Sequence, residues 1–298
     1  PDGSVDPFRL SASNMIDAQL HGATILVYTE VTGFIIEQGT VKGVKVLDHK
    51  NGQTAEYRAA VTVDAAGIWG HHIASLAGVN IGMFPAKGSL LIYAHRVNGV
   101  VLNRCRKPAN ADILVPGDTV CVIGTTSTRV PYEECDNIGA TPDEVDLLMA
   151  EGAKLAPCLE HTRILRAYAG VRPLVSADND PSGRNISRGI VCLDHETRDG
   201  LKGFISITGG KLMTYRLMAE IATDAVCKKL GRSAVCVTAT APLPGSAEDN
   251  LKELAKKIWD VPSTVQKSVI GRIGDRAGQI SMDDDYKGSL VCECEEVP

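Results

Sequence analysis

The stretch ITGGKLMTYRLMAE, residues 207–220, constrains the fold of this chain more than any other part of its sequence. The apolar residues 204–208 predict a strand, and Gly209 and Gly210 then predict a tight turn, because glycine adopts positive φ without steric cost. The apolar residues that follow recur every three or four positions: Leu212, Tyr215, Ala219, Ala222 and Val226. That spacing predicts a helix packed on one side, and a strand that leads through a tight turn into a helix favours an α/β fold.

The turn at Gly209 and Gly210 favours an anionic ligand. A helix start presents unpaired N–H groups and the positive end of a dipole, which suit phosphate, carboxylate or the anionic edge of a reduced flavin. Lys211 stands where helices normally carry Asp or Glu, and this indicates an additional negative partner. The alternative is a plain strand-to-helix turn with Lys211 in water, and spacing alone leaves both open.

Composition and charge narrow the class of protein. The 298 residues are enough for one large or two medium domains, and the formal net charge of −5 argues against a nucleic-acid partner. No apolar run reaches the ~20 residues that a membrane-spanning helix needs. Seven of the nine cysteines are scattered singly, which indicates buried thiols in a reducing cytoplasm rather than a disulfide framework.

Three further motifs could bind an anion or a cofactor. Arg172, in YAGVRPL, precedes a proline in an extended segment and is expected to meet either an anion in a cleft or a buried salt-bridge partner. Arg188, in the loop DPSGRNISRG, could join Arg172 and Lys211 in a phosphate clamp, although a solvated loop arginine is the alternative. The small residues of DAAGIW, residues 64–69, could let a ligand lie against the backbone, or they could form a plain turn.

The remaining chemistry-bearing residues give weaker signals. Cys292 and Cys294 form a C-x-C that could be half of an iron–sulfur or zinc site, but two cysteines complete neither, and an unliganded pair is the alternative. No Ser-His-Asp pattern is supported by spacing, and the histidines lack metal-ligand spacing.

The pattern of elements places these motifs. Helices are predicted at residues 8–20, 141–155 and 247–261, and the second has Thr141 as its N-cap and Glu144 three residues later. Strands are predicted at residues 24–36, 41–47 and 55–59, and these three are expected to form an antiparallel sheet. The chain is then expected to return to a buried strand at residues 61–67. Further strands are predicted at residues 89–93, 100–102, 113–115, 120–126, 163–175 and 189–194.

Six segments, taken in order, resemble the FAD-dependent glycerol-3-phosphate dehydrogenases of the D-amino-acid-oxidase-like flavoprotein superfamily. They are DGSVDPFRLSASNMIDAQLHGA, VDAAGIW, FPAKGSLL, IGTTSTR, YAGVRPL and ITGGKLMTYRLMAE. NRCRKPANADILVPGD and LVCECE are similar to the branch formed by the large catalytic A subunit of the anaerobic enzyme. In that family the G-x-G-x-x-G motif, which binds the FAD pyrophosphate, precedes the part matched here. The resemblance therefore implies a fragment that lacks this motif.

The resemblance implies roles for individual residues. Those expected to contact FAD are Val31, Ala65, Ala66, Gly67, Trp69, Gly209, Gly210, Lys211 and Leu212. Arg172 is expected to orient the C2 oxygen of the substrate as the catalytic residue, with Arg188 and Lys211 on its phosphate. The C-x-C resembles the start of a C-terminal [2Fe–2S] module. A histidine of the aerobic branch is replaced here by Leu90, which leaves the catalytic base open, with water as one candidate.

The expected fold is α/β. An incomplete FAD-binding domain of the glutathione-reductase-like type comprises residues 1–80 and 196–232, and a mainly antiparallel substrate domain, residues 81–195, is inserted between them. Residues 233–298 are expected to form a linker and a short helical segment that leads to a truncated [2Fe–2S]-binding-like module. Without its first βαβ unit the sheet would expose an edge and a face, so the fragment is expected to self-associate or rearrange.

The resemblance implies oxidation of sn-glycerol 3-phosphate to dihydroxyacetone phosphate, with hydride transfer from C2 to flavin N5. Electrons would pass through flavin and iron–sulfur partner subunits toward quinone, from a cytoplasmic position at the inner face of the cell membrane. One alternative is a flavin oxidoreductase acting on a small amino or hydroxy acid, for which one bidentate arginine would suffice. The other is a catalytically inactive module that serves as an assembly surface.

Overall fold

The computed structural model describes residues 3–117, 119–175, 189–246 and 270. Within that part of the chain the helices are α1 (Pro7–Leu20), α2 (Gly70–Leu76), α3 (Pro142–Leu155), α4 (His195–Asp199) and α5 (Tyr215–Lys229). The strands are β1 (Thr29–Glu37), β2 (Thr40–Asp48), β3 (Thr54–Arg58), β4 (Thr62–Asp64), β5 (Phe84–Ala94), β6 (Leu102–Asn103), β7 (Ile113–Pro116), β8 (Val120–Gly124), β9 (Thr128–Arg129), β10 (Ile164–Leu174), β11 (Ile190–Asp194) and β12 (Phe204–Gly209). The strands form three sheets, and the mixture of helices and sheets confirms the α/β class.

The first sheet is an antiparallel meander in the order β1-β2-β3, which confirms the predicted three-stranded antiparallel sheet. Gly52, in the turn between β2 and β3, has φ +71°, the left-handed conformation expected of an Asn-Gly turn. The prediction that the first strand begins at residue 24 is wrong. Tyr28 has φ +58°, which a strand cannot accommodate, so β1 begins at the next residue, Thr29.

The second sheet has six strands in the order β10-β5-β8-β7-β6, and β9 also pairs with β5. Every described pairing in it is antiparallel. Three of its strands, β5, β7 and β8, contain or overlap the strands predicted at residues 89–93, 113–115 and 120–126, respectively. The strand predicted at residues 100–102 is displaced to β6. Helix α3 packs against this sheet, and the shared core contains Leu91, Tyr93, Leu114, Ile123 and Leu148.

The third sheet, in the order β11-β12-β4, positions the candidate site. β12 pairs in parallel with β4, although the paired residues Ser206 and Asp64 are 142 positions apart. Phe204 anchors β12 in the core, where its ring lies 5.0 Å from that of Phe34 and 4.6 Å from that of His195, measured between ring centroids. The domain boundary predicted after residue 195 separates β11 from β12, although the two strands pair antiparallel along their length.

Two helices begin with hydrogen-bonded caps, of which the cap of α3 was predicted from the sequence. At α1 the side chain of Asp6 accepts hydrogen bonds from the backbone N–H groups of Phe8 and Arg9. At α3 the predicted capping box is complete, since Thr141 and Glu144 each bond to the other's backbone N–H. No helix in the described part of the chain combines the length and apolar character needed to cross a membrane.

Helix α5 departs from its predicted stripe. It begins at Tyr215, after a 3₁₀ turn at Leu212–Thr214. Because a 3₁₀ turn advances about 120° per residue and an α-helix about 100°, the turn shifts Leu212 off the buried face. Leu212 is accordingly 53% exposed, Ala219 is also exposed, and Ala222 is the buried member of the predicted stripe. The helix predicted at residues 247–261 lies outside the described residues.

Candidate active site

The two small-residue turns predicted from the sequence lie at the same edge of the third sheet. Because β4 and β12 are parallel, their carboxyl ends meet, and this brings the segment after Asp64 next to the segment after Thr208. The first segment contains Ala65, Ala66 and Gly67, and the second contains Gly209 and Gly210. The structure therefore brings together the small residues of both motifs around one edge.

The double glycine is required by its backbone conformation and by its neighbours. Gly209 and Gly210 have φ +78° and +70°, as the sequence predicted. A Cβ at Gly209 would collide with the carbonyl oxygen of Gly189, and one at Gly210 would lie 2.5 Å from Sδ of Met218. The N–H of Gly210 donates to the same Gly189 carbonyl at 3.2 Å, which ties the turn to the residue before β11.

The start of the following helix presents both charge and apolar surface. Lys211 is exposed, and its backbone N–H donates to Oγ1 of Thr214 at 3.0 Å, closing the 3₁₀ turn. Leu212 and Trp69, the large apolar residues of the two turns, are 53% and 48% exposed. Nε1 of Trp69 donates to a carboxylate oxygen of Asp136 at 2.6 Å, which holds the indole in place.

A buried polar chain fixes the turn after β4. Oδ1 of Asp64 accepts from the N–H of Ala66 at 3.0 Å, and Oδ2 accepts from Oγ of Ser206 at 3.1 Å. Ser206 is in turn 3.0 Å from Nε2 of His195, whose Nδ1 is 2.6 Å from Oδ2 of Asp199. Burial raises the pKa of Asp64. Sequence reasoning missed this chain of contacts, because nothing in the local pattern pairs Asp64 with a residue 142 positions away.

Arg172 is on β10 of the second sheet, and its side chain extends over the neighbouring strand, β5. Residue 170 pairs with Gly88 of β5, and Arg172, two positions along, projects from the same face of the sheet. Its Nη1 donates to the carbonyl of Lys87 at 3.4 Å, and its Nη2 donates to the carbonyl of Thr126 at 3.3 Å and to Oγ1 of Thr125. These three contacts fix the position of the guanidinium above β5.

Gly88 provides the space for this arrangement. A Cβ built on Gly88 would lie 2.8 Å from Cζ of Arg172, so any other residue would displace the guanidinium. Gly88 belongs to the segment FPAKGSLL, but the sequence did not predict it as a site residue. The signal that could have identified it is a glycine within an otherwise apolar strand, which often marks close approach of another group.

An apolar pair stands beside Arg172 on the same face. Tyr168 pairs with Leu90 across β10 and β5, and Leu90 packs against Gly124, where an added Cβ would lie 3.0 Å from the leucine side chain. Burial raises the pKa of the Tyr168 hydroxyl. The position at which the aerobic branch carries a histidine is therefore filled here by a packed aliphatic side chain.

The remaining predicted site residues fall into two groups. β10, which carries Arg172, contacts the turn Gly67–Trp69 and also β12, the strand that leads into the double glycine. Val31 lies in the first sheet, where it pairs with Val46, and the described contacts do not bring it to this edge. Arg188, Cys292 and Cys294 lie outside the described residues, and within the described ones no cluster of His, Cys, Asp or Glu could hold a metal ion.

The comparison with known families decides the class of this chain. A family model of FAD dependent oxidoreductases (DAO) matches residues 1–216. The chain belongs to this family. Its sequence is 61% identical over its whole length to the A subunit of anaerobic glycerol-3-phosphate dehydrogenase from Haemophilus influenzae, and 60% identical to that from Escherichia coli K12. The chain spans about half the length of these curated relatives, 53% and 55%.

Solved structures agree with this assignment. Glycerol-3-phosphate dehydrogenase from Bacillus halodurans, determined as a complex with FAD, superposes with a TM-score of 0.73 at 27% identity. The match covers 90% of this chain and 54% of the other. L-proline dehydrogenase from P. horikoshii matches with a TM-score of 0.57 at 22% identity, covering 78% of this chain and 57% of the other, which indicates a shared fold.

The residues at the shared edge fit the ring end of a flavin. A Cβ on Gly67 would meet nothing within 4 Å, so the backbone there is open to a ligand. Trp69 and Leu212 offer apolar surface, and the helix start offers partial positive charge. Apolar surface together with partial positive charge suits a planar apolar ring that accumulates negative charge on reduction. The G-x-G-x-x-G motif that would bind the pyrophosphate does not occur in the sequence.

Proposed function

We propose that this chain carries the flavin-facing and substrate-facing parts of an FAD-dependent glycerol-3-phosphate dehydrogenase of the anaerobic type. The reaction is oxidation of sn-glycerol 3-phosphate to dihydroxyacetone phosphate. The observation that carries the proposal is the guanidinium of Arg172, held over Gly88 on a strand that contacts both the turn Gly67–Trp69 and β12, the strand that leads into the double glycine. The 61% identity with a relative of that name supports this substrate over other substrates of the family.

Arg172 is proposed to orient the C2 oxygen of the substrate. As C2 is oxidised, negative charge develops on this oxygen, and a fixed guanidinium stabilises it without reorganisation. Bound FAD would supply the acceptor for the hydride that leaves C2. Because Leu90 cannot accept a proton, we propose that water takes the hydroxyl proton while Arg172 steadies the oxygen.

The phosphate of the substrate would be bound by Lys211 together with Arg188. A phosphate accepts from several cationic donors, whereas a carboxylate is satisfied by one bidentate arginine. Lys211 is exposed beside Gly209 and Gly210, where it could serve both a substrate phosphate and the anionic edge of the flavin. A small amino or hydroxy acid would leave these cations without a partner.

The test uses the full-length protein that contains this chain, loaded with FAD and kept without oxygen. Addition of sn-glycerol 3-phosphate is expected to bleach the visible absorbance of the flavin, and glycine or lactate at the same concentration is not. If only an amino or hydroxy acid bleaches the flavin, that acid and not sn-glycerol 3-phosphate is the substrate. The chain as given, titrated with FAD, tests the third possibility, since absence of flavin uptake favours an assembly module.

Replacement of Arg172 by lysine tests the catalytic role. A point charge cannot reproduce the planar fork, so kcat/KM is expected to fall by about 10²-fold or more. Arg166→Lys is the matched control, since Arg166 lies on the same strand, with its guanidinium 6.0 Å from the centroid of the Tyr168 ring. Equal kinetics in the two variants would remove Arg172 from the mechanism.

The partners and the location of the whole protein are further parts of the proposal. Electrons would leave through flavin and iron–sulfur partner subunits toward quinone, with the protein at the inner face of the cell membrane through those subunits. Cys292 and Cys294 would supply half of a [2Fe–2S] site. Labile sulfide analysis and electron paramagnetic resonance of the full-length protein would test this, and absence of a cluster would remove the role.

We also infer that the isolated chain self-associates. β4 pairs with β12 on one side only among the described strands, and Val63 in its centre is 38% exposed. No residue of α1 is buried, and Phe8 is among its exposed apolar residues. Such an edge and such a face attract other chains. Sedimentation velocity of the isolated chain is expected to show oligomers, and a concentration-independent monomer would contradict this inference.

A further inference from the structure

Beneath the face that carries Arg172 lies a buried ion pair that sequence reasoning did not predict. Nζ of Lys87 is 2.8 Å from Oε2 of Glu144, and the two side chains are only 8% and 11% exposed. Lys87 comes from β5, whereas Glu144 comes from the first turn of α3. The pair therefore joins β5, the strand under Arg172, to helix α3, which packs against the same sheet.

The carboxylate of Glu144 is the centre of a polar cluster. Oε2 accepts from Oγ of Ser89 at 2.9 Å and from the N–H of Thr141 at 3.0 Å, and Oε1 accepts from Oγ1 of Thr126 at 3.0 Å. Burial opposes ionisation, but the hydrogen bonds from Lys87, Thr141, Ser89 and Thr126 lower the pKa to about 2. The carboxylate is therefore ionised at neutral pH, and it can accept from all of these donors.

Thr126 connects this cluster to Arg172. Its hydroxyl accepts from the N–H of Ser89 at 2.9 Å and donates to Glu144, so the residue is fixed from two sides. Its carbonyl accepts from Nη2 of Arg172 at 3.3 Å. A second connection runs through Lys87, whose ammonium pairs with Glu144 and whose carbonyl accepts from Nη1 of Arg172 at 3.4 Å.

We propose that Glu144 is a positioning residue for the oxidation, acting on Arg172 through Thr126 and Lys87. The proposal rests on the proposed function, because it assigns a role toward the same arginine. Glu144 also closes the capping box of α3, and this second role would persist if the first were absent. The hydroxyl of Thr141 closes the cap and donates to Oε2 of Glu144 at 3.2 Å, but Thr141 makes no described contact with Arg172, Thr126 or Lys87. The two roles are separable because the other donors to Glu144 remain when this hydroxyl is removed.

The test is a double-mutant cycle in the full-length protein, followed as kcat/KM for sn-glycerol 3-phosphate. Glu144→Gln places an amide NH₂ opposite groups that are themselves donors, so the cluster that holds Arg172 is expected to shift. A shift of about 1 Å in an orienting group can cost up to about 10²-fold in rate. We therefore expect Glu144→Gln to lower kcat/KM about 10-fold. In an Arg172→Lys background the same change is expected to cost less than about 2-fold, because the group it positions is gone.

Thr141→Ala is the matched control. It removes the cap and destabilises α3, and it is expected to leave kcat/KM within about 2-fold of wild type. If Glu144→Gln does not fold, Thr126→Val and Thr126→Ser take its place. The valine variant loses the hydroxyl and is expected to lose about 10-fold in kcat/KM, and serine keeps the hydroxyl and is expected to restore most of it.

The outcomes separate the positioning role from the proposed function. Full activity of Arg172→Lys would reject the catalytic arginine itself. If Arg172→Lys is impaired but the losses from Glu144→Gln and Arg172→Lys multiply, Glu144 acts independently of Arg172 and the positioning role is rejected. An equal loss in Thr141→Ala would reject it in the same way. A crystal structure of Glu144→Gln with the guanidinium of Arg172 unmoved would reject it without any activity measurement.

Discussion

Replacement of Gly88 by alanine is the most direct perturbation of the candidate site. Gly88 has no positive φ and lies in the middle of β5, so alanine fits the local backbone. The conflict is with the guanidinium of Arg172, whose Cζ would be 2.8 Å from the new methyl group. Because that group is the end of a flexible side chain, the arginine moves and the strand remains.

The size of the effect follows from this distance. Non-bonded carbon atoms are in optimal contact at about 3.5–4.0 Å, so the guanidinium must move by roughly 1 Å. A shift of that size in an orienting group costs on the order of 10²-fold in rate, or about 2.7 kcal/mol in the barrier. The free energy of unfolding is expected to stay the same or rise by about 0.4–1 kcal/mol, since alanine restricts the unfolded chain more than glycine.

Gly170→Ala is the matched control, since Gly170 faces Gly88 directly across the strand pair. A Cβ at Gly170 would meet nothing within 4 Å. The assay compares kcat/KM for sn-glycerol 3-phosphate and the urea midpoint of both variants in the full-length protein. We expect Gly88→Ala to lose activity with an unchanged midpoint and Gly170→Ala to lose neither.

Two results would refute this reasoning. If Gly88→Ala kept kcat/KM within about 3-fold of Gly170→Ala, the position of Arg172 would not control the reaction, because a 1 Å shift should cost far more. If Gly88→Ala instead lowered the urea midpoint strongly, the methyl group would be displacing the strand rather than the side chain.

Three further predictions concern stability. Thr141→Ala is expected to lower the free energy of unfolding by about 1 kcal/mol in urea denaturation, because the N-cap hydrogen bond is lost. The pKa of Glu144 is lowered from its usual 4.5 to about 2, so the stability it confers is complete above pH 4.5 and is lost as pH falls toward 2. Urea midpoints measured between pH 6 and pH 2 are expected to show this loss in wild type and less of it in Glu144→Gln. Gly209→Ala is expected to unfold at lower urea than Gly210→Ala, because its Cβ meets a backbone carbonyl and the other meets the flexible side chain of Met218.

Features that are encoded locally could be predicted from the sequence. The capping box of α3 follows from Thr141 and Glu144 alone, and the positive φ of Gly209 and Gly210 follows from a strand that leads directly into a helix. The meander of the first sheet follows from alternating apolar residues around one Asn-Gly turn. In each case the determining residues lie within a few positions of one another, so their spacing carries the information.

Features that depend on strand register could not be predicted in the same way. Arg172 reaches Gly88 only because β10 and β5 pair with residue 170 opposite Gly88, and a shift of one position would turn the guanidinium to the other face. The ion pair of Lys87 and Glu144 depends on how α3 packs on the sheet. The phase of α5 was mispredicted because one 3₁₀ turn at its start rotates the helical stripe.

Glycine contributes to this site for two distinct physical reasons, and alanine substitution separates them. At Gly209 and Gly210 the backbone has a φ that other residues adopt at a cost of about 1–2 kcal/mol, so the loss appears in folding. At Gly88 the backbone accepts any residue, and the missing side chain leaves room for Arg172, so the loss appears in the reaction. A strand glycine without positive φ that lies under a charged side chain is therefore better evidence of a functional site than a turn glycine, because folding alone does not require it.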